Sequence, residues 1–331
     1  MPSAARGVWL RRHLQLPGSG NQMLKTVLSL IWIFATLLLP GCDQEESPLK
    51  VDLTKKEQVR HETSATAITY AYLPQYSHTV SHERHRLLVE FLRRETGYNI
   101  KQVFPDTFDQ HMDMVGQGKI DISFANPFVY VALAQRYGSR VFASAVEGVE
   151  GNSKFRGQII CRADNPAIVT LADCRGKRWI AVDPNSAGGY LYALGLFHGQ
   201  GLRPEDFAEI AFAPGPGGKQ EKVVLAVWAG KYDIGSIREG TLQVVGEKID
   251  LREIKVLATT PWYPGWVYSA RAGLDPEVAD NIARALLKLS STDKEQRRIL
   301  DAARIMGFVP AQDRDYDPIR NLAAQIGIHL D

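Results

Sequence analysis

Cysteine is scarce in this chain: three among 331 residues, at positions 42, 161 and 174. None stands in a Cys/His nucleophile arrangement, and there is no GxSxG turn, no Walker loop and no paired set of zinc ligands. These absences argue against acyl-transfer, nucleotide-hydrolysing and zinc enzymes, so the expectation is no enzyme, no cofactor and no metal. His78, His82 and His85 fall on one helix face, but they have no clear fourth ligand, and a solvated face explains them better. Acidic residues are missing from positions 1–41, which carry only Arg6, Arg11, Arg12 and Lys25 as charges. Setting those four aside leaves 35 basic against 37 acidic residues, a balance of −2. That balance offers no footprint for nucleic acid. With 45% hydrophobic and 23% charged residues, the chain is too apolar for disorder and long enough for more than one lobe.

A long hydrophobic run occurs once. MLKTVLSLIWIFATLLLPGC, residues 23–42, sets Lys25 before an apolar stretch from Val27 to Leu39. The stretch is short for a membrane span and suits a signal-peptide core. Its end, LPGC, resembles the bacterial lipoprotein box, in which the cysteine is lipidated. The expected layout is therefore a lipoprotein-type signal peptide at 1–41, Cys42 as the lipidation site, and a polar tether at 42–66. An uncleaved N-terminal anchor is the alternative. Both put the remainder outside the cytoplasm, in the periplasm or at the cell surface. In that oxidising setting Cys161 and Cys174 read as a disulfide closing a short loop, or else as two separate buried thiols.

From Ala67 onward, strand-like and helix-like segments alternate. AITYAYL is a strand, HERHRLLVEFLRRETG an amphipathic helix stopped by Gly97, and NIKQVF, KIDISFA and RVFASAV are further strands. Asn126 and Pro127 mark a helix start. Two segments, VGQGKIDISFANP and VWAGKYDIGSIRE, echo one another, which suggests two similar α/β lobes. The fold expected is α/β, with two Rossmann-like lobes on parallel sheets with helical crossovers. One lobe spans 67–156 plus 259–331, the other 157–258.

The stretch DPNSAGGYLY, Asp183–Tyr192, joins a strand to a helix. A helix start presents unpaired backbone N–H groups and about half a positive charge. Glycine there lets an anion approach the backbone. Ser186, Ala187, Gly188 and Gly189 thus read as an anion cradle; the plainer reading is a capped helix whose small residues allow close packing. Gln75 and Tyr76, after the first strand, Asn126, and the pair Arg238 and Glu239 are further wall candidates. Trp262, in PWYPGW, can stack on an organic group or a cation.

The order GKIDISFANP, FRGQIICRADNPAIVTLADCRGKRWIAVDPNSAGGYL, AGKYDIG and YDPIR resembles the phosphate, phosphite and phosphonate-binding periplasmic proteins of ABC transporters, from about Ile68 to Arg320. The resemblance implies a type II bilobal binding protein that closes on its ligand by hinge motion. It implies a small anionic ligand and an ABC permease as partner; the alternative is a ligand-sensing component for a membrane signalling protein such as a sensor kinase, with a carboxylate or sulfur oxyanion as ligand. A monomer is expected. The family reads Ser-Thr-Ser-Gly-Tyr where this chain has Ser186-Ala187-Gly188-Gly189-Tyr190. Thr107 and Phe155 stand where relatives carry Tyr, and Lys219 follows Gly218 where they carry Gly-x-His. With two hydroxyl donors fewer, a singly charged oxyanion or a carboxylate fits at least as well as a dianion.

Overall fold

A computed structural model describes residues 67–147 and 152–330. The expected signal peptide and tether, with Cys42, lie outside the described residues. The chain begins with β1 (Ile68–Tyr72), α1 (His78–Thr96), β2 (Ile100–Gln102), α2 (Phe108–Gly116), β3 (Ile122–Ala125), α3 (Pro127–Tyr137) and β4 (Arg140–Val146). It crosses through β5 (Lys154–Phe155) into β6 (Gly157–Arg162), β7 (Arg178–Ala181), α4 (Tyr192–Gly199), β8 (Glu209–Phe212), α5 (Lys219–Trp228), β9 (Ile234–Arg238), α6 (Thr241–Val245) and β10 (Ile254–Thr259). It returns through β11 (Tyr263–Pro264) to β12 (Val267–Ala270), α7 (Pro276–Lys288), α8 (Lys294–Ala303), β13 (Gly307–Pro310) and α9 (Asp317–Gln325).

Two sheets result, in one compact unit. The first has the order β13-β4-β12-β3-β1-β2, the second β10-β6-β9-β7-β8. The expected parallel pairing holds for β2-β1-β3 and for β8-β7-β9. β4, β12 and β13 in the first sheet, and β6 and β10 in the second, pair antiparallel with their neighbours. The two crossings pair with each other as the ribbon β5–β11, with Phe155 opposite Tyr263.

Local chemistry sets the element ends. Ser77 Oγ caps α1 at Val80 N, so the helix starts at His78, earlier than the HERH segment suggested, and Gly97 closes it at φ 73°. Asn126 Oδ1 accepts from Phe128 N and Val129 N at 2.9 and 3.1 Å, with Pro127 next in line. The central strands β3 and β12 are buried at every residue, as strands covered on both faces must be. Phe124 stacks on Tyr268 at 4.3 Å between them.

The disulfide does not form: Cys161 and Cys174 are both buried free thiols. Each packs in the apolar core of the second sheet with Trp179 and Ile159, and Cys174 Sγ donates to Thr170 O at 3.9 Å. Burial pushes the Cys174 thiol up to about 12, so it stays protonated. Among the described residues no helix is long and apolar enough to cross a membrane.

Candidate functional site

A cavity of about 470 Å³ opens where the two crossings meet the loops of both sheets. Gln75 and Tyr76 enter from the loop after β1, and Glu147, Asn152, Lys154 and Phe155 from the first crossing. Gly218, Gln220 and Glu221 come from the start of α5, Trp262 from the second crossing. Arg238, Glu239, Gly240, Thr241, Gln243 and Val244 complete the wall from β9 and α6. Of the residues the sequence pointed to, Gln75, Tyr76, Phe155, Arg238, Glu239 and Trp262 are brought together here.

Most of the wall charges are paired, while Lys154 is exposed. Arg238 Nη1 donates to Glu147 Oε2 at 3.4 Å. Arg156 grips Glu239 with two bonds, of 2.9 and 2.7 Å, and lies 4.3 Å from the centre of the Trp262 ring. Arg84 lies 4.5 Å over Tyr76, a cation–π contact. Burial works against the charge on Arg238, but Glu147, Tyr76 and Tyr72 outweigh it, and its pKa is raised. Burial also raises the pKa of Glu147, against the pull of Arg238 and Arg84. Arg238 is fixed from behind: its N–H donates to Gln220 Oε1 at 2.8 Å, and Thr241 Oγ1 donates to its carbonyl at 2.7 Å. The chemistry available is recognition, through a cation, aromatic faces, amides and carboxylates.

The DPNSAGGYLY junction lies behind this wall. Ser186 Oγ accepts from Gly189 N at 3.1 Å and starts a wide turn, Ala187–Leu191, wound as a π-helix before α4. Asp183 Oδ1 accepts from Asn185 N at 2.9 Å. A Cβ on Gly188 would sit 2.8 Å from Phe155 Cε2, and one on Gly157 2.5 Å from Gly188 O. Ala187, Leu191 and Tyr192 join the core of the first sheet, and Asn126 Nδ2 donates to Asn185 O at 3.1 Å. The small residues therefore let the second sheet press against the first, and Phe155 stands between Gly188 and the cavity. Tyr190 packs away from it, on Trp179 and Phe212. Lys219 is held by Asp183 at 2.5 Å, with side chains 12% and 10% exposed. Thr107 is an exposed helix cap that accepts from Gln110 N.

Sequence reasoning missed Glu147 and Gln243, among others. Glu147 follows the last residue of a strand and has no motif around it. Its signal was positional: a carboxylate at the end of RVFASAV, on the strand edge where Asn126 also sits.

Two α/β sheets joined by paired crossings, with a cavity where they meet, define the type II periplasmic binding fold. The model of the family described as ABC transporter, phosphonate, periplasmic substrate-binding protein matches residues 70–316, and the chain belongs to that family. It is 26% identical over 306 residues to the phosphate-import protein PhnD of Mycolicibacterium smegmatis, covering 88% of this chain and 93% of the relative. Among solved structures, a binding protein component of an ABC phosphonate transporter from Pseudomonas aeruginosa superposes with TM-score 0.67 at 21% identity, covering 77% of this chain and 85% of that one. PhnD1 from Prochlorococcus marinus, solved with methylphosphonate, gives 0.68 at 14% identity, covering 79% of this chain and 98% of that one.

Proposed function

We propose that the chain is an extracytoplasmic, lipid-anchored solute-binding protein that captures a small oxyanion, of the phosphonate or phosphite type, for an ABC importer. The observation that carries this reading is the cavity where the crossings meet, with Arg238 aimed into it. In this reading residues 67–156 with 259–331 form one lobe and 157–258 the other. The β5–β11 ribbon is the hinge. Contacts between the two sheets, Gly218 N to Gln75 O at 2.9 Å and Asn185 Nδ2 to Asp109 Oδ1 at 2.8 Å, are those that closure makes. The helix start at Ser186–Gly189 adds positive potential from behind Phe155. Cys42 carries the lipid, the tether gives reach, and a monomer delivers ligand to the permease. The family description names a transporter component, which favours import over sensing.

Thermal melting against phosphite, phosphate, methylphosphonate, sulfate and small carboxylates tests the reading. A micromolar ligand at millimolar concentration adds about 4 kcal/mol and raises the midpoint. Absence of both compaction and thermal shift with every anion overturns it.

A further inference from the structure

Glu147 and Arg238 line the same cavity and pair within it, with side chains 18% and 30% exposed. The other wall carboxylates are engaged elsewhere: Glu239 by Arg156 and Glu221 by Lys248. Lys219 is held by Asp183, Lys154 is exposed on the cavity wall and Arg84 lies over the Tyr76 ring, so Arg238 is the cation that Glu147 bonds. An anion that reaches Arg238 thus meets a carboxylate already there. Two anions on one guanidinium leave a charge unbalanced in a poorly hydrated site, which is strongly unfavourable.

Resting on the oxyanion reading above, we propose that Glu147 is an internal counter-ion that competes with the ligand for Arg238, so that capture of an anion takes up a proton on Glu147 and the site selects singly charged anions. Before capture the pair is neutral. After capture Arg238 faces the single charge of the ligand, Glu147 is a neutral acid, and the proton has come from solvent. The balance is again zero, and the new O–H can donate to a ligand oxygen. A dianion leaves one negative charge behind. The groups acting on Glu147 are Arg238 from β9, Arg84 from α1, Tyr72 from β1 and Tyr268 from β12, with Tyr76 beside Arg238. Burial already favours its neutral form, and Arg238 is the first of the cations that oppose this. A ligand that engages Arg238 weakens that opposition.

The test is calorimetry of the purified full-length chain and of Glu147→Gln with methylphosphonate, phosphite and phosphate. Two buffers of different ionisation heat count protons, and subtracting the variant removes the titration of the probe itself. The wild type is expected to take up about one proton more than Glu147→Gln, and the affinity advantage of the variant to grow about tenfold per pH unit once Glu147 is ionised in the free protein. If Glu147→Gln melts as a misfolded protein, the wild-type proton count, corrected by titrating each probe alone, decides. Binding with equal proton uptake in both proteins, or weaker binding by Glu147→Gln, overturns the counter-ion and leaves the anion-binding reading standing. No heat and no thermal shift with any probe in either protein overturns both.

Discussion

Acid should unfold this protein through two buried histidines. His85 and His111 are both fully buried. His85 Nδ1 bonds Tyr70 OH at 2.6 Å and its ring stacks on Tyr72 at 4.5 Å. His111 Nε2 bonds Ser123 Oγ at 2.7 Å. The remaining ring nitrogen of each, His85 Nε2 and His111 Nδ1, is buried without a partner. Burial lowers both pKa values from 6.5 to about 3, with Arg84 adding to the effect at His85. Between those values the unfolded chain holds a proton on each ring and the folded chain does not. Stability is therefore full above the unfolded value and falls as pH drops toward the folded one. Each ring contributes a slope of about 1.4 kcal/mol per pH unit, so near pH 5 the two together cost about 4 kcal/mol. That is a large part of the ~5–15 kcal/mol typical of a folded domain. Urea unfolding at several pH values reads the slope directly. His111→Gln is expected to lower stability at neutral pH but to flatten the slope by about 1.4 kcal/mol per unit. An unchanged slope in that variant would refute the reasoning, since it would mean that His111 takes its proton in the folded state.

Three further outcomes are expected. Gly189→Ala sets a Cβ 2.3 Å from Val182 Cγ2, and it is expected to lose about 1–3 kcal/mol in urea unfolding, much of it recovered with Val182→Ala. Breaking the Lys219–Asp183 pair by Lys219→Met strands a carboxylate and is expected to cost about 3–5 kcal/mol, whereas Lys219→Met with Asp183→Leu costs less; a double-mutant cycle measures the difference. Peptide mapping without reductant is expected to find Cys161 and Cys174 as unlinked thiols that alkylate only after unfolding, because both are buried and free.

The alternation of strands and helices, the strand RVFASAV at Arg140–Val146 and the caps at Asn126 and Gly97 follow from local pattern, because periodicity and capping act over a few residues. The helix start at Ser186 was equally legible, since its cap bond spans three positions. The Ser186–Gly189 motif shows where such reading stops. Its small residues carry two local explanations, anion cradle and close packing, and only the distance to Phe155 and Gly157 shows how tightly it is packed. The antiparallel strands, the β5–β11 ribbon and the pairing of Glu147 with Arg238 across 91 residues depend on how the chain returns through space. The sequence alone determined the α/β class, the family and six residues of the cavity wall, because these rest on local pattern and motif. Tertiary structure alone decided that Arg238 already has a carboxylate partner in the cavity, because a charge pair between distant segments exists only once the sheets have packed.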